Sequence, residues 1–335
     1  MKDVAAAAGV SLGTVSNVIN RPEIVAENTR ARVQRAIKDL GFVPNASAQT
    51  LRAGRTRVLG LVVPDIGNPF FTEVAKGVDD AAFEAGYVVI LCNTNADAAK
   101  EERYLDVLGA QRVQGVLITP AREDRAGLEQ RGIALTLLDR AATGIEACSV
   151  AVDDAAGGAL ALEHLWGLGH RRIVFLGGPA DVPQVAERRK GIVEAHARLS
   201  TGADGALSVL VAERMDAIAG EQAMAEHLAS GAADFTGLIC ANDLLALGAI
   251  RALRAAGLSI PKDVSVVGYD DIDFAASAAV PLTSIRQPKY QLGHAAAELL
   301  ISECEDPEGH VHQRVMFQPQ LVVRESTKAP RKPKR

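Results

Sequence analysis

From Val58 onward the chain repeats one rhythm, a short apolar run followed by an amphipathic stretch, and nothing else in the sequence restricts the fold as much. VLGLVV, YVVILC, GVLIT and ALTLL read as four strands, with helical stretches near 70–85, 98–112 and 124–131 between them. SVAV, RIVFL, LSVLVA, GLICA and VSVVGYD repeat the pattern, again with helices between. Apolar strands alternating with helices mean parallel sheets joined by right-handed crossovers. Two such α/β units in succession predict a pair of doubly wound sheets, with any ligand held at the carboxyl ends of their strands.

The first 57 residues follow a different period. In KDVAAAAGVSLGTVSNVIN, Val4, Ala5 and Ala8 recur at helical spacing and Gly9 permits a left-handed turn. Ser11 can then cap a second helix carrying Val15, Val18 and Ile19. Two short helices around a tight turn form a helix-turn-helix. Small alanines let the second helix cross close over the first, leaving Ser11, Leu12, Gly13, Thr14, Ser16, Asn17 and Asn20 to meet a DNA major groove. The alternative, a buried helical hairpin, would require buried partners for Thr14, Ser16 and Asn17. A third helix, about Glu27 to Leu40 and ended by Gly41, aligns Val33, Ala36, Ile37 and Leu40 in one stripe. Beyond it Asn45 can cap a short helix through Leu51 and Arg52, marginal in water and expected to order only against a partner. Leu51, flanked by Arg52, Arg55 and Arg57, suits a wedge between base steps of a minor groove; docking on the core as a linker residue is the alternative.

Charge is divided in the same way. Residues 1–57 hold nine Lys/Arg against four Asp/Glu, whereas the remainder hold 27 against 37, so only the N-terminal end suits a polyanion. The tail from Lys328 to Arg335 adds five basic residues and reads as a disordered solubilising end rather than a second DNA contact. No long apolar run is present, and MKDVAAAAG lacks a basic n-region and a sustained apolar h-region. A cytoplasmic, nucleoid-associated protein without a membrane partner is expected. Cys92, Cys148, Cys240 and Cys304 lie far apart without CxxC spacing, so neither a disulfide nor a metal site is expected.

Three segments, KDVAAAAGVSLGTVSNVIN, TRARVQRAIKDLGFVPNASAQTLR and RVLGLVVPDIGNPFFTEVAKGV, together resemble the LacI/GalR family of bacterial transcription factors, and the likeness covers nearly the whole chain. The resemblance implies an N-terminal all-α helix-turn-helix DNA-binding domain over 1–44, a hinge helix and linker over 45–57, and an α/β periplasmic-binding-protein-like core over 58–327, followed by the basic tail 328–335. Within the core it implies one subdomain of about 58–153 and 284–318 and another of about 154–283 and 319–327, with the stretch Thr283 to Cys304 returning to the first. It further implies a homodimer on a pseudo-palindromic operator, with the helix after the turn in the major groove and Leu51 inserted at the centre. Gly13 departs from the family by offering no side chain to a base. Family members usually carry a few residues before the KDVA motif, including a threonine that caps the first helix. The expectation is therefore a lost cap or a native start upstream of Met1. No leucine-heptad extension follows Arg324, which favours a dimer over a tetramer.

Polar and aromatic groups at strand ends mark a candidate effector site. Asn68-Pro69-Phe70-Phe71, Asp139-Arg140, Arg188, Asn242-Asp243, Asp270-Asp271 and Gln287 each have an ordinary reading: core phenylalanines, a solvated pair, a helix cap, an exposed charge. Together they offer aromatic faces for C–H surfaces and planar hydrogen-bonding groups for hydroxyls, as a sugar requires. These stretches also resemble those of ribose-binding periplasmic proteins, which implies a pentose bound by Asn68, Phe70, Phe71, Asp139, Arg140, Arg188, Asn242, Asp270 and Gln287. One aromatic of those proteins has no counterpart around Arg214-Met215. Purine sensors of the family carry an aromatic where Arg140 stands, which disfavours a purine. No catalytic constellation or cofactor fingerprint competes: Gly177-Gly178-Pro179 lacks GxGxxG spacing, GxxxxGK[ST] does not occur, and His310-x-His312 falls in a polar stretch expected to be exposed. A sugar-controlled repressor is the leading expectation; a cytosolic sugar-binding protein or enzyme of the same core fold, without operator control, is the alternative.

Overall fold

The computed structural model describes residues 1–42, 56–121, 132–142, 144–200, 205–231 and 234–331. The chain divides into two units, Met1–Thr56 and Arg57–Arg335. The expected hinge segment 45–54 with Leu51 and Arg52, the stretch 124–131 and the last four residues of the tail lie outside the described residues.

In the first unit, α1 (Lys2–Ala8) and α2 (Leu12–Asn20) flank the expected turn, and α3 (Glu27–Asp39) closes over them after a 3₁₀ turn at Pro22–Ile24. Val4, Ala5, Ala8, Val15, Val18, Val33 and Ala36 form a single small core. Gly9 ends α1 with φ 60°, a left-handed conformation that favours glycine. Ser11 caps α2, its Oγ accepting from the Thr14 amide at 3.1 Å. Arg32, which no sequence pattern singled out, donates to Ala8 O at 2.6 Å and Gly9 O at 3.2 Å, taking carbonyls that the end of α1 leaves without helical partners.

The second unit holds two six-stranded sheets. In chain order its elements begin β1 (Val58–Val63), α4 (Pro69–Glu84), β2 (Val88–Asn93), α5 (Ala98–Ala110), β3 (Gly115–Ile118), β4 (Ala134–Leu138), β5 (Cys148–Val152) and α6 (Asp154–Gly167). There follow β6 (Arg172–Gly177), α7 (Pro183–Leu199), β7 (Ala206–Val211), α8 (Ala217–Ala229), β8 (Gly237–Cys240), α9 (Asp243–Ala255) and β9 (Ser265–Asp270). The last are α10 (Asp273–Ser277), β10 (Thr283–Arg286), α11 (Lys289–Glu305), β11 (Arg314–Phe317) and β12 (Gln320–Val322). The first sheet runs β11-β5-β4-β3-β1-β2 and the second β12-β10-β9-β8-β6-β7, every pairing parallel except that of β12 with β10. Each sheet therefore repeats one doubly wound order. Strand β1 shows why these segments read as unbroken apolar runs: Leu59, Leu61 and Val63 pack beneath α4 and α11, while Val62 faces Leu105 and Leu108 of α5.

The crossover differs from the expected one. Strand β10 pairs with β9 in the second sheet, so Thr283–Arg286 does not return to the first half; the return begins after it, with α11 packed against α4. Strands β11 and β12, absent from the sequence reading, are short and end-on edge strands with weak alternation, and each completes a sheet. Among the described residues no helix is long and apolar enough to cross a membrane.

Helices in each half meet at glycines. A Cβ at Gly191 of α7 would lie 1.8 Å from Ala155 O of α6, and one at Gly158 of α6 would lie 2.1 Å from Arg188 O of α7. Backbone thus rests on backbone where α6 meets α7. Gly191→Ala must separate these helices and should cost about 1–3 kcal/mol or more. The expected outcome is a lower thermal midpoint of the core, followed by fluorescence of Trp166, the chain's one tryptophan.

Candidate functional site

The carboxyl ends of both sheets open on one cleft of about 760 Å³, within the range of roughly 300–1,000 Å³ typical of small-molecule sites. The strand order reverses between β1 and β3 in the first sheet and between β6 and β8 in the second, and chain leaving these four strands lines the cleft: Asp65 and Asn68, Thr119, Pro179, and Asn242. Topology alone therefore brings residues far apart in sequence to one place.

Eight of the nine residues expected to bind an effector line this cleft: Asn68, Phe70, Phe71, Asp139, Arg140, Arg188, Asn242 and Asp270. Gln287 stands behind them, donating from Nε2 to Asp270 Oδ1 at 2.7 Å. Several ordinary readings hold alongside. Asn68 caps α4 by accepting from the Phe70 amide at 3.0 Å, and Asn242 caps α9 by accepting from the Leu245 amide at 2.8 Å. The Asn242 amide nitrogen also donates to Met215 O at 2.9 Å, tying its cap to the loop on the cleft wall. Phe70 and Phe71 are buried, their rings edge to face at 5.0 Å. Two readings fail: Asp139 and Arg140 are buried rather than a solvated pair, and Arg188 is 4% exposed within a run that looked like a helix surface.

Arg188 is the centre of the site. Its Nε donates to Asp154 Oδ1 at 2.8 Å, Nη1 donates to Ala241 O at 2.6 Å and lies 3.9 Å from Asp270 Oδ1. The guanidinium carbon sits 3.7 Å from the Tyr269 ring centroid. Asp154 and Tyr269 were not singled out in the sequence. The GYD triplet and the acidic pair Asp153-Asp154 after SVAV are the available signals, but both also fit plain strand and cap roles. Gln184 was missed as well. From α7 it donates to Asp139 O at 2.8 Å and Asp139 Oδ2 at 2.9 Å, linking the two halves across the cleft. Asp139 and Asp270 hold φ of 54° and 101°, and their neighbours in the cleft Asn95 and Ala96 hold 56° and 57°. Left-handed non-glycine backbone costs energy and gathers at binding sites.

Burial dominates the ionisation of the cleft. It pushes the Asp139 carboxyl up, with help from the charge of Asp154 and against Arg188, Gln184 and Arg140, to about 7. Burial likewise pushes Asp270 up to about 6, opposed by Arg188, Gln287 and Lys289. Asp154 is also raised by burial, though Arg188 opposes it.

In the N-terminal unit, Ser11, Leu12, Gly13, Asn17 and Asn20 are exposed on α2, and Thr14 and Ser16 are half-buried. The face expected to meet DNA is thus open along the helix. Ser11 Oγ is engaged with Thr14, and Asn20 Nδ2 donates back to Ser16 O at 2.8 Å, so Leu12 and Asn17 are the outward side chains with the fewest internal ties.

Comparisons with known proteins bear on both units. Residues 1–45 match the model for bacterial regulatory proteins of the lacI family, and residues 162–327 match that for a periplasmic binding protein-like domain. The chain is 35% identical to the HTH-type transcriptional repressor PurR of Aliivibrio fischeri, over 97% of each chain. It is also 35% identical to the ribose operon repressor of Escherichia coli, over 97% of this chain and 99% of that one. A LacI family transcriptional regulator from Enterococcus faecium, solved with bound ribose, is 31% identical with a TM-score of 0.72, over 81% of this chain and 99% of that one.

The raised carboxyl of Asp270 gives a prediction with a definite sign. Its pKa rises from 3.8 to about 6 on folding, so the folded state favours the protonated form, and stability falls as pH rises through that window. Asp270→Asn keeps an acceptor for Gln287 without the charge. Its thermal midpoint should exceed the parent's by a few degrees above about pH 6, the advantage shrinking steadily and vanishing near pH 4. Thermal scans of both proteins from pH 4 to 8 check this.

Proposed function

This chain belongs to the lacI family of bacterial regulatory proteins, whose members are effector-controlled DNA-binding regulators, and we propose that its own effector is a ribose-like pentose held between the two halves of the core. One observation carries the reading: Arg188, fixed by Asp154 and Asp270 over Tyr269, meets Phe70 and Phe71, Asp139, Arg140 and Asn242 in a single cleft. Phe70 and Phe71 supply apolar faces to one side of a sugar ring, and the charged and amide groups supply partners for its hydroxyls. The purine reading, favoured by the likeness to a purine-named repressor, asks for rings on both faces of a flat base. Among the described lining residues Phe70 and Phe71 are the only aromatics, and both come from the first half.

The protein works as a cytoplasmic homodimer on nucleoid DNA, α2 of each protomer reading one half of a pseudo-palindromic operator. The cleft is larger than a single pentose fills, so a bound pentose favours arrangements in which the halves draw together, with the Asp139–Gln184 link at their boundary. That shift changes the pairing of segment 45–54 across the dimer and releases operator, which makes the sugar an inducer. Segment 45–54 takes this role from the family resemblance alone.

Calorimetric titration with D-ribose, against glucose and adenine, tests the effector. Saturable ribose binding should weaken by about a hundredfold or more in Arg188→Ala, which removes a buried charged donor; adenine binding in place of ribose would transfer the site to a purine. For the DNA half, Leu51→Ala should weaken binding to operator in a mobility-shift assay while ribose affinity stays unchanged. Equal loss of both would reject a local hinge role.

A further inference from the structure

A second cluster of ligating side chains lies at the other end of the first sheet. Cys148 opens β5, Glu303 lies in the last turn of α11, and His310 and His312 belong to the connection from α11 into β11. One donor atom from each of these four residues falls within 4.8 Å of the others. His310 Nε2 is 3.1 Å and His312 Nδ1 is 3.8 Å from Cys148 Sγ, and Glu303 Oε2 is 4.0 Å from His312 Nδ1. The histidines, expected to be an exposed pair, are half-buried at His310 and exposed at His312, and both converge on a cysteine more than one hundred and sixty positions earlier in the sequence.

We propose that Cys148, Glu303, His310 and His312 form a transition-metal site selective for Zn²⁺. A tetrahedral zinc with sulfur at about 2.3 Å and nitrogen or oxygen at about 2.0–2.1 Å places its ligand atoms roughly 3.3–3.6 Å apart. The two distances to Cys148 Sγ, 3.1 and 3.8 Å, lie within about half an ångström of that, and Glu303 Oε2, 4.0 Å from His312 Nδ1, closes the remainder on binding. One thiolate, two imidazoles and one carboxylate suit a borderline-soft ion with four ligands, and exclude the oxygen-seeking Mg²⁺ and Ca²⁺.

The surroundings are arranged as ligands need. Ser302 Oγ is 3.2 Å from His310 Nδ1, which orients the ring so that Nε2 faces the sulfur. The Gln313 amide donates to Cys148 Sγ at 3.3 Å, a contact a sulfur ligand can keep when metal binds. The connection is itself held, the His310 amide donating to Asp306 O at 2.9 Å and the Gly309 amide to Asp306 Oδ1 at 3.1 Å. Glu303 Oε2, in a side chain 17% exposed, accepts no hydrogen bond. Cys148 is wholly buried while His312 is exposed, so an ion enters past His312 and the sulfur is shielded from oxidants. Binding ties the end of α11 and the start of β11 to β5. The first turn of the same helix braces the cleft through Lys289, whose Nζ donates to the carbonyls of Asp270 and Asp271 at 2.7 Å.

The test uses the full-length chain without an affinity tag, stripped with a chelator and titrated with Co²⁺ and then Zn²⁺. The expected result is a thiolate-to-cobalt charge-transfer band and visible bands of tetrahedral cobalt that saturate at one ion per chain and disappear when Zn²⁺ displaces it. Zn²⁺, and not Mg²⁺, should raise the thermal midpoint. Cys148→Ser should abolish the charge-transfer band. His312→Ala, at an exposed position, should leave metal-free unfolding unchanged and weaken Zn²⁺ binding by about tenfold or more. Absence of stoichiometric cobalt–thiolate absorption overturns the proposal. So does a Zn²⁺ affinity that is unchanged in His312→Ala, which would place any bound ion elsewhere.

Discussion

A guanidinium at the bottom of a cleft sets the terms for everything around it. Arg188 is 4% exposed, and an unpaired charge at such depth is prohibitive. Burial alone would ease its proton off; the carboxylates around it more than reverse that and hold it charged. Each neighbour follows from this need. Asp154 stands in the first turn of α6, the contact through Gly158 and Gly191 brings α7 against α6, and Tyr269 turns its ring face toward the cation. Gln287 and Lys289 hold Asp270 from behind, so the second carboxylate is fixed without spending its cleft-facing side. Removing Asp154, the partner bonded directly to Arg188, or Arg188 itself leaves the other buried without its closest counter-charge, so these two behave as a unit.

The repeated topology explains how two halves come to share the site. A doubly wound sheet leaves a crevice where its order reverses, and here two such crevices face one another. Each half supplies what its loops carry: the aromatic helix start at Asn68–Phe71 and the Asp139-Arg140 pair from one, Arg188, Asn242 and Asp270 from the other. Asn95, Ala96 and Asp139 in loops and Asp270 at the end of β9 all hold positive φ, so the strands provide rigidity and the bends that follow them provide aim.

How much of this was legible depends on how local each signal is. The apolar runs gave the parallel strands because a strand buried on both faces needs no context to declare itself. Asn68, Phe70, Phe71, Asp139 and Asn242 sit where a strand gives way to a helix or bend, so their positions followed from the same periodicity. Gln184 and Asp154 could not be found that way: one looks like the start of any helix, the other like a cap, and only contacts with Asp139 and Arg188 set them apart. Gln287 was read as lining the cleft but props Asp270, a distinction that depends on depth rather than spacing. Thr283 to Arg286 was given to the wrong half because a strand before a returning helix pairs with either sheet equally well on sequence grounds. The cluster at Cys148 joins three elements across the fold, and the His310-x-His312 pair, its one local spacing, does not reveal the cysteine and glutamate that meet it.

The charge of the cleft bears on what can enter it. Asp65, Asp139, Asp181, Glu213, Asp216 and Asp270 line it against Arg140, Arg188 and Arg214, so acceptors and negative charge are in surplus. Arg188 is already committed to Asp154, Asp270 and Ala241 O, and Arg214 to Asp216 at 2.6 Å, so these two arginines have little capacity left for an incoming anion. A phosphorylated sugar would meet that field unfavourably, and drawing the halves together would raise the cost by removing the water that screens it. A neutral polyol meets the opposite situation. Its hydroxyls bring donors to carboxylates that burial has left short of them, and Asp139, with its carboxyl held near 7, accepts from a hydroxyl when ionised and donates to one when protonated. Closure around such a ligand strengthens those hydrogen bonds instead of concentrating repulsion. The same buried acids therefore favour an uncharged, hydroxyl-rich ligand over a charged one, in keeping with the proposed effector.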